Sequence, residues 1–234
     1  MLNFAKALCR LQGERYDNSY IGKLVYRRTA AETEEERLEL DPGKPGRRFQ
    51  RVKVRAFGKD GRETAVLETV LFFSDTMVNH DEGTGSPLAR EGAPPTGAIP
   101  WHAFSEEEIR EFSAAVGDTN PIHLTERPVV QGYLLADRIF RRLGRPGNIT
   151  IRFSNPAYAG EMIYLLEEDQ HEQPGYGNHK KEQHGIHPYT DENGAVCSAF
   201  SRFGLHLFSA SVHPGHGHGA DHRGEPDGVH PAPQ

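Results

Sequence analysis

Gly117-Asp118-Thr119-Asn120-Pro121-Ile122-His123 is the stretch on which the reading of this chain of 234 residues turns. It places an acid, an amide and an imidazole close together, with a proline among them. Pro121 fixes its own φ and biases Asn120 away from the helical region, so the segment is stiff and its side chains have set directions. A carboxylate and an imidazole that converge on one water or one substrate proton can do general acid/base chemistry. Taken alone, Asp118-x-Asn120-Pro121 also fits a helix-ending turn closed by side-chain to backbone bonds.

Working outward, both flanks read as helices. Ser105 followed by Glu108 is a capping-box pattern. Ile109, Phe112 and Val116 then form an apolar stripe at helical spacing, and Gly117 is placed to end the helix. A second helix is expected from Pro128, which suits a first helical position, to Leu143. Val129, Val130, Tyr133, Leu134, Ile139, Phe140 and Leu143 make it apolar over a wide arc, so it should be buried. The first amides of a helix lack internal partners and carry the positive end of its dipole. Gly132 has no side chain to block approach, and its N–H is a candidate donor to a developing oxyanion.

Further out lie strands. Ile149–Phe153 and 161–168 read as strands separated by a turn at 155–160. A turn at Asn193-Gly194 introduces a strand AVCSAFSRFGLHLF. The N-terminal part ends in a similar way, with RVKVRAF, a turn at Lys59-Asp60-Gly61, and a strand containing Val66, Thr69 and Val70. A matching place upstream is Tyr20–Arg28. The two β-rich blocks, 1–80 and 101–210, therefore suggest internal duplication. Antiparallel strands around a buried helix give an α+β architecture.

Composition marks the stretches in between. Residues 81–100 hold four Gly and four Pro and read as a linker. Residues 169–193 read as a long polar insertion, and 211–234 as a disordered His/Gly-rich tail. Nine of the thirteen histidines fall in those last two segments, so the histidine excess is not by itself a metal signal. His179, His184, His187, His216 and His218 lie in flexible settings, and no metal site is expected. His102, beside Trp101, is expected to have a surface or packing role. The net charge of −6 argues against nucleic acid as a partner. No apolar run approaches the roughly 18 residues of a membrane span. Two cysteines and no secretory leader point to a cytoplasmic protein.

The motif and its flanks resemble the MaoC-like, (R)-specific enoyl-CoA hydratases, the hydratase-2 family with the hotdog fold. The resemblance centres on Gly117-Asp118-x-Asn120-Pro121-Ile122-His123 and spans Phe104 to Leu143. It extends to Glu126-Arg127-Pro128-Val129-Val130-x-Gly132 and to Arg152-Phe153-x-Asn155-Pro156-x-Tyr158-x-Gly160-Glu161. It implies a double hotdog with a degenerate first unit, in which Leu2–Leu11 is a remnant of the central helix. It also implies reversible hydration of trans-2-enoyl thioesters, or dehydration of (R)-3-hydroxyacyl thioesters, carried on CoA or acyl carrier protein. No cofactor is needed, because the thioester itself acidifies the α-proton. In that reading Asp118 and His123 activate the water, Asn120 fixes polar geometry, and the Gly132 amide binds the thioester carbonyl. Gln131, Arg138 and Arg142 are further substrate-binding candidates. The arginines lie in a run with Arg141 and Arg145 that suits either CoA phosphates or a helix C-terminus.

Two departures stand out. Only Leu124 to Arg127 separates His123 from Pro128, where the family has a longer segment that shapes the acyl pocket. Gln131 stands where the family often has His, and Gln cannot titrate. These departures keep a non-catalytic acyl-thioester-binding protein open as the alternative, with a hotdog thioesterase as a third reading. The truncated first unit leaves room for a second copy of the chain, so a homodimer is among the expectations.

Overall fold

The computed structural model describes residues 1–30, 37–73, 93–168, 196–201 and 205–213. The polar insertion 169–193, most of the linker and nearly all of the tail lie outside these residues. So does the expected turn at Asn193-Gly194.

The first half starts with a short helix, α1 (Leu2–Leu8), which buries Phe4, Ala5, Ala7 and Leu8. Four strands come next: β1 (Tyr20–Arg28), β2 (Arg37–Asp41), β3 (Phe49–Phe57) and β4 (Glu63–Phe72). The expected turn between β3 and β4 forms, with Gly61 at φ +77 and Asp60 Oδ1 accepting from the Arg62 amide. In β3, Gln50, Val52, Val54 and Ala56 alternate inward, as a half-buried strand requires.

The second half contains β5 (Ile99–Ala103), α2 (Glu106–Val116), α3 (Gly132–Arg142), β6 (Asn148–Phe153), β7 (Met162–Glu168), β8 (Val196–Ser201) and β9 (His206–Val212). Nine strands form one sheet in the order β2-β3-β4-β1-β6-β9-β8-β7-β5, with every neighbouring pair antiparallel. Read from the central β1·β6 pair outward, each half repeats one pattern. The first strand is followed on the sheet by the fourth, the third and the second. Among the described residues only β5, at the far edge, lacks a counterpart. The buried core joins the inward faces of both halves to all three helices.

Three boundaries differ from the sequence reading. The stretch AVCSAFSRFGLHLF is two antiparallel strands, β8 and β9, rather than one. Strand β5 takes in Ile99 and Pro100 from the expected linker, and β9 runs to Val212, into the expected tail. The second helix begins at Gly132, not Pro128. Residues 128–130 are instead pulled into extended pairing with the turn after β6. Val130 donates to the Ala157 carbonyl at 2.8 Å, and Ala159 donates to the Pro128 carbonyl at 3.0 Å. Among the described residues no helix is long and apolar enough to cross a membrane.

Candidate functional site

Helix α2 delivers the motif. Both bonds of the Ser105/Glu108 capping box are present, and Gly117 takes a left-handed conformation at φ +76. The amides of Gly117 and Asp118 both return to the Ser113 carbonyl, at 2.8 and 2.9 Å. The chain thus leaves the helix sharply, which a residue with a Cβ adopts at a cost. Asp118 Oδ1 accepts from the Asn120 amide at 3.0 Å. Pro121 opens a single 3₁₀ turn, Pro121–His123, that ends on the imidazole.

The short connection after His123 shapes the imidazole's surroundings in a way the sequence did not reveal. Val129 donates its amide to the Ile122 carbonyl at 3.0 Å, closing the loop on itself. The Val129 carbonyl then lies 2.7 Å from His123 Nδ1. A carbonyl only accepts, so Nδ1 carries the proton and a neutral His123 presents a bare Nε2. That nitrogen faces Asp118 Oδ2 at 3.5 Å. Burial lowers the His123 pKa below its ordinary value, against the opposing pull of the Asp118 charge and the Val129 bond. The result is two acceptors side by side, each able to take one proton of the same water.

Asp118 and His123 line a cavity of about 570 Å³ together with Gly132, within the range of small-molecule sites. Its walls come from both halves. They include Ile21 and Leu71 of the first half and Phe112, Val116, Val130 and Leu135 of the second. No Lys or Arg among the described residues lines it.

Gly132 is the first residue of α3, whose N-cap, Gln131, makes no side-chain cap bond. The amide at this end of the helix is therefore not claimed by its own cap. A Cβ at Gly132 would stand 3.1 Å from Ile21 Cβ and 3.3 Å from its Cδ1. Gly132→Ala is expected to destabilise by roughly 1–3 kcal/mol through overpacking. Ile21→Val should relieve part of it in a double-mutant cycle read by urea unfolding. Additive losses would place the strain elsewhere.

Asn120 also lines the cavity, but its side chain is engaged with backbone groups. Its Oδ1 accepts from the Asn18 amide at 3.0 Å, and its Nδ2 donates to the Ser19 carbonyl at 3.0 Å. Asn18 is held in the left-handed region at φ +59, which Asn tolerates better than most residues. The amide group of Asn120 thus ties the motif to the loop between α1 and β1. Nothing in the sequence motif pointed to Asn18 or Ser19 as its partners.

The remaining candidates are held by other partners. Gln131 is 2% exposed. Its Nε2 donates to the Ile109 carbonyl at 3.0 Å and to Ser113 Oγ at 2.6 Å, while its Oε1 is buried without a partner among the described residues. It ties α3 to α2, although it also lines the cavity. Arg138 and Arg142 do not line the cavity. Arg138 pairs with Glu108 at 2.7 Å and Arg142 with Glu167 at 2.7 Å, so the structure does not bring the basic run to the site. His102 packs at 4.4 Å between ring centroids against Phe104 and lies 3.2 Å from Glu108. The cavity also exposes Cys9, a residue the sequence did not single out. Burial, then the Asp118 charge, pushes its thiol up to about 12. Among the described residues no group of three His, Cys, Asp or Glu could hold a metal.

The flanking motif segments meet in space. Val129 bridges Tyr158, and the Arg127 guanidinium sits 4.3 Å from the centroid of the Tyr158 ring.

No family model matches the sequence, and no curated protein matches it. The fold does match solved structures. A MaoC-like dehydratase from Phytophthora capsici superposes with a TM-score of 0.54 at 14% identity, covering 87% of this chain and 72% of its own. Another MaoC-like dehydratase gives 0.55 at 14% identity, over 90% of this chain and 82% of its own. HtdX from Mycobacterium tuberculosis gives 0.52 at 14% identity, over 83% and 76%. At such identities the likeness is one of fold. The chain has the α+β hotdog architecture expected from its sequence.

Proposed function

We propose that the chain adds water across the double bond of a trans-2-enoyl thioester and, in reverse, dehydrates a 3-hydroxyacyl thioester. The observation that carries the reading is the 3.5 Å approach of Asp118 Oδ2 and His123 Nε2 inside an apolar cavity that also contains Gly132. A water held by both acceptors keeps its lone pairs free for the substrate. Its oxygen bonds to Cβ, a proton passes to the pair, and the electron pair moves onto the thioester carbonyl. The first amide of α3 and the helix dipole stabilise that oxygen. A proton returned to Cα completes the addition. The apolar walls suit an acyl chain, and the carrier is CoA or acyl carrier protein. The test is loss of enoyl absorbance from a medium-chain trans-2-enoyl-CoA.

A second reading is an acyl-thioester-binding protein without turnover. It is favoured by Gln131, which cannot titrate and leaves one buried acceptor unpaired among the described residues. Binding of acyl-CoA without any His123-dependent turnover would select it.

The direction of the His123 shift sets the pH dependence. The ordinary value is 6.5, and burial lowers it. Nε2 therefore stays unprotonated below pH 6.5, and the acid limb of kcat/KM attributable to this group is expected below that value. A His123-dependent inflection above pH 6.5 would contradict this. Stability has the same sign. The unfolded chain takes up a proton near pH 6.5 that the folded chain does not. The contribution is intact above that pH and is lost as pH falls from there towards the folded value.

A further inference from the structure

We propose that α1 forms the closed end of the acyl pocket and that Ala5 and Leu8 set the longest acyl chain the site accepts. The inference rests on the reading of the cavity as an acyl-thioester site and adds a chain-length limit to it.

The N-terminal segment lines the cavity from Ala5 to Gly13, and its exposure changes along the way. Ala5 is 1% exposed and Leu8 8%. Cys9 is half-buried, and Gln12 and Gly13 are open to solvent. All five line the cavity. The cavity therefore runs from a mouth near Gln12 and Gly13 to a blind end near Ala5 and Leu8. Thr119, next to Asp118, is also exposed and lines the cavity. Asp118, whose side chain is 17% exposed, thus lies nearer the mouth than Ala5 and Leu8 do. A thioester placed there sends its carrier outward and its acyl tail towards α1.

Next to Ala5 in the chain, Phe4 anchors a stack of buried rings. Phe4 meets the Tyr26 ring edge-on at 5.8 Å, and Tyr26 meets Phe140 at 5.3 Å. None of these three rings lines the cavity, and each is buried. A chain that reaches Ala5 meets this packed stack and does not enter it without moving it. A methylene that finds or loses an apolar slot changes discrimination by on the order of tenfold or more.

The experiment measures binding of butanoyl-, octanoyl- and hexadecanoyl-CoA by calorimetry, alongside kcat/KM for the matching enoyl-CoAs. It uses the full chain, Ala5→Leu and Leu8→Ala, with folding of each checked by circular dichroism. The wild type is expected to prefer the eight-carbon chain over the sixteen-carbon chain. Ala5→Leu should weaken octanoyl-CoA by about tenfold and leave butanoyl-CoA nearly unchanged. Leu8→Ala should strengthen hexadecanoyl-CoA relative to butanoyl-CoA by a similar factor, and it carries the test alone if Ala5→Leu does not fold. Equal effects on all lengths in the folded variants, or no binding of any acyl-CoA, would overturn the proposal. Length-dependent binding that the variants shift, without turnover, would uphold the closed end while removing the hydratase reading.

Discussion

Asp118→Asn and His123→Ala are each expected to slow hydration of an enoyl-CoA by roughly 10²- to 10⁴-fold, while binding of saturated octanoyl-CoA persists. Asn at position 118 keeps an oxygen for the Asn120 amide, which Asp118 Oδ1 now accepts at 3.0 Å. The amide NH₂ then replaces Oδ2, 3.5 Å from His123 Nε2. It would donate to that nitrogen and occupy the lone pair that should receive the water. One isosteric change thus removes both acceptors from the water. His123→Ala removes Nε2 and also strips the Val129 carbonyl of the donor 2.7 Å away. It should cost stability as well as rate, because a buried acceptor left unpaired costs about 1–3 kcal/mol. Asp118→Asn separates the two effects, since its fold-stability loss should be much smaller. Initial rates, calorimetry and urea unfolding on the same preparations check each part.

Asn120 gives the second large effect, by a different route. Its side chain serves the Asn18 amide and the Ser19 carbonyl, while its own amide holds Asp118 Oδ1. Asn120→Ala leaves the Asn18 and Ile122 amides and the Ser19 carbonyl without this partner and frees the loop that aims the carboxylate. A fall in kcat of roughly tenfold to a hundredfold is expected, since small misplacements of reacting groups cost that much, with KM little changed. Asn120→Asp can still accept from Asn18, but it turns a carboxylate oxygen towards the Ser19 carbonyl. It should be no better than Asn120→Ala in stability. If Asn120→Asp restored wild-type stability and rate, the donation to Ser19 would carry no weight.

Local chemistry made α2 and the motif legible. Ser105, Glu108 and Gly117 specify their own helix ends within a few residues, and Pro121 stiffens the turn that leads to His123. The start of α3 is not legible in the sequence, because Val129 and Val130 continue an apolar run that is compatible with a helix. Pairing with Ala157 and Tyr158, far along the chain, pulls them out of it. Half of the site was invisible for the same reason. The motif quotes Asp118, Asn120 and His123, but the residues that brace Asn120 come from about a hundred positions earlier. They meet where the loop that enters β1 passes the motif. Arg138 and Arg142 were plausible phosphate ligands by charge alone. Their partners Glu108 and Glu167 become visible only once α2 and β7 are placed. The short His123–Pro128 connection looked like a deficit. In the folded chain it brings the Val129 carbonyl onto Nδ1 and fixes the tautomer that leaves Nε2 free.

The most direct test of the central claim is hydration of trans-2-octenoyl-CoA in oxygen-18 water, with the products read by mass spectrometry. The expected result is 3-hydroxyoctanoyl-CoA carrying the label on its hydroxyl, formed by the wild type and suppressed in Asp118→Asn. Label found instead in free octenoic acid, with release of CoA, would contradict it. So would wild-type turnover no faster than that of the variant.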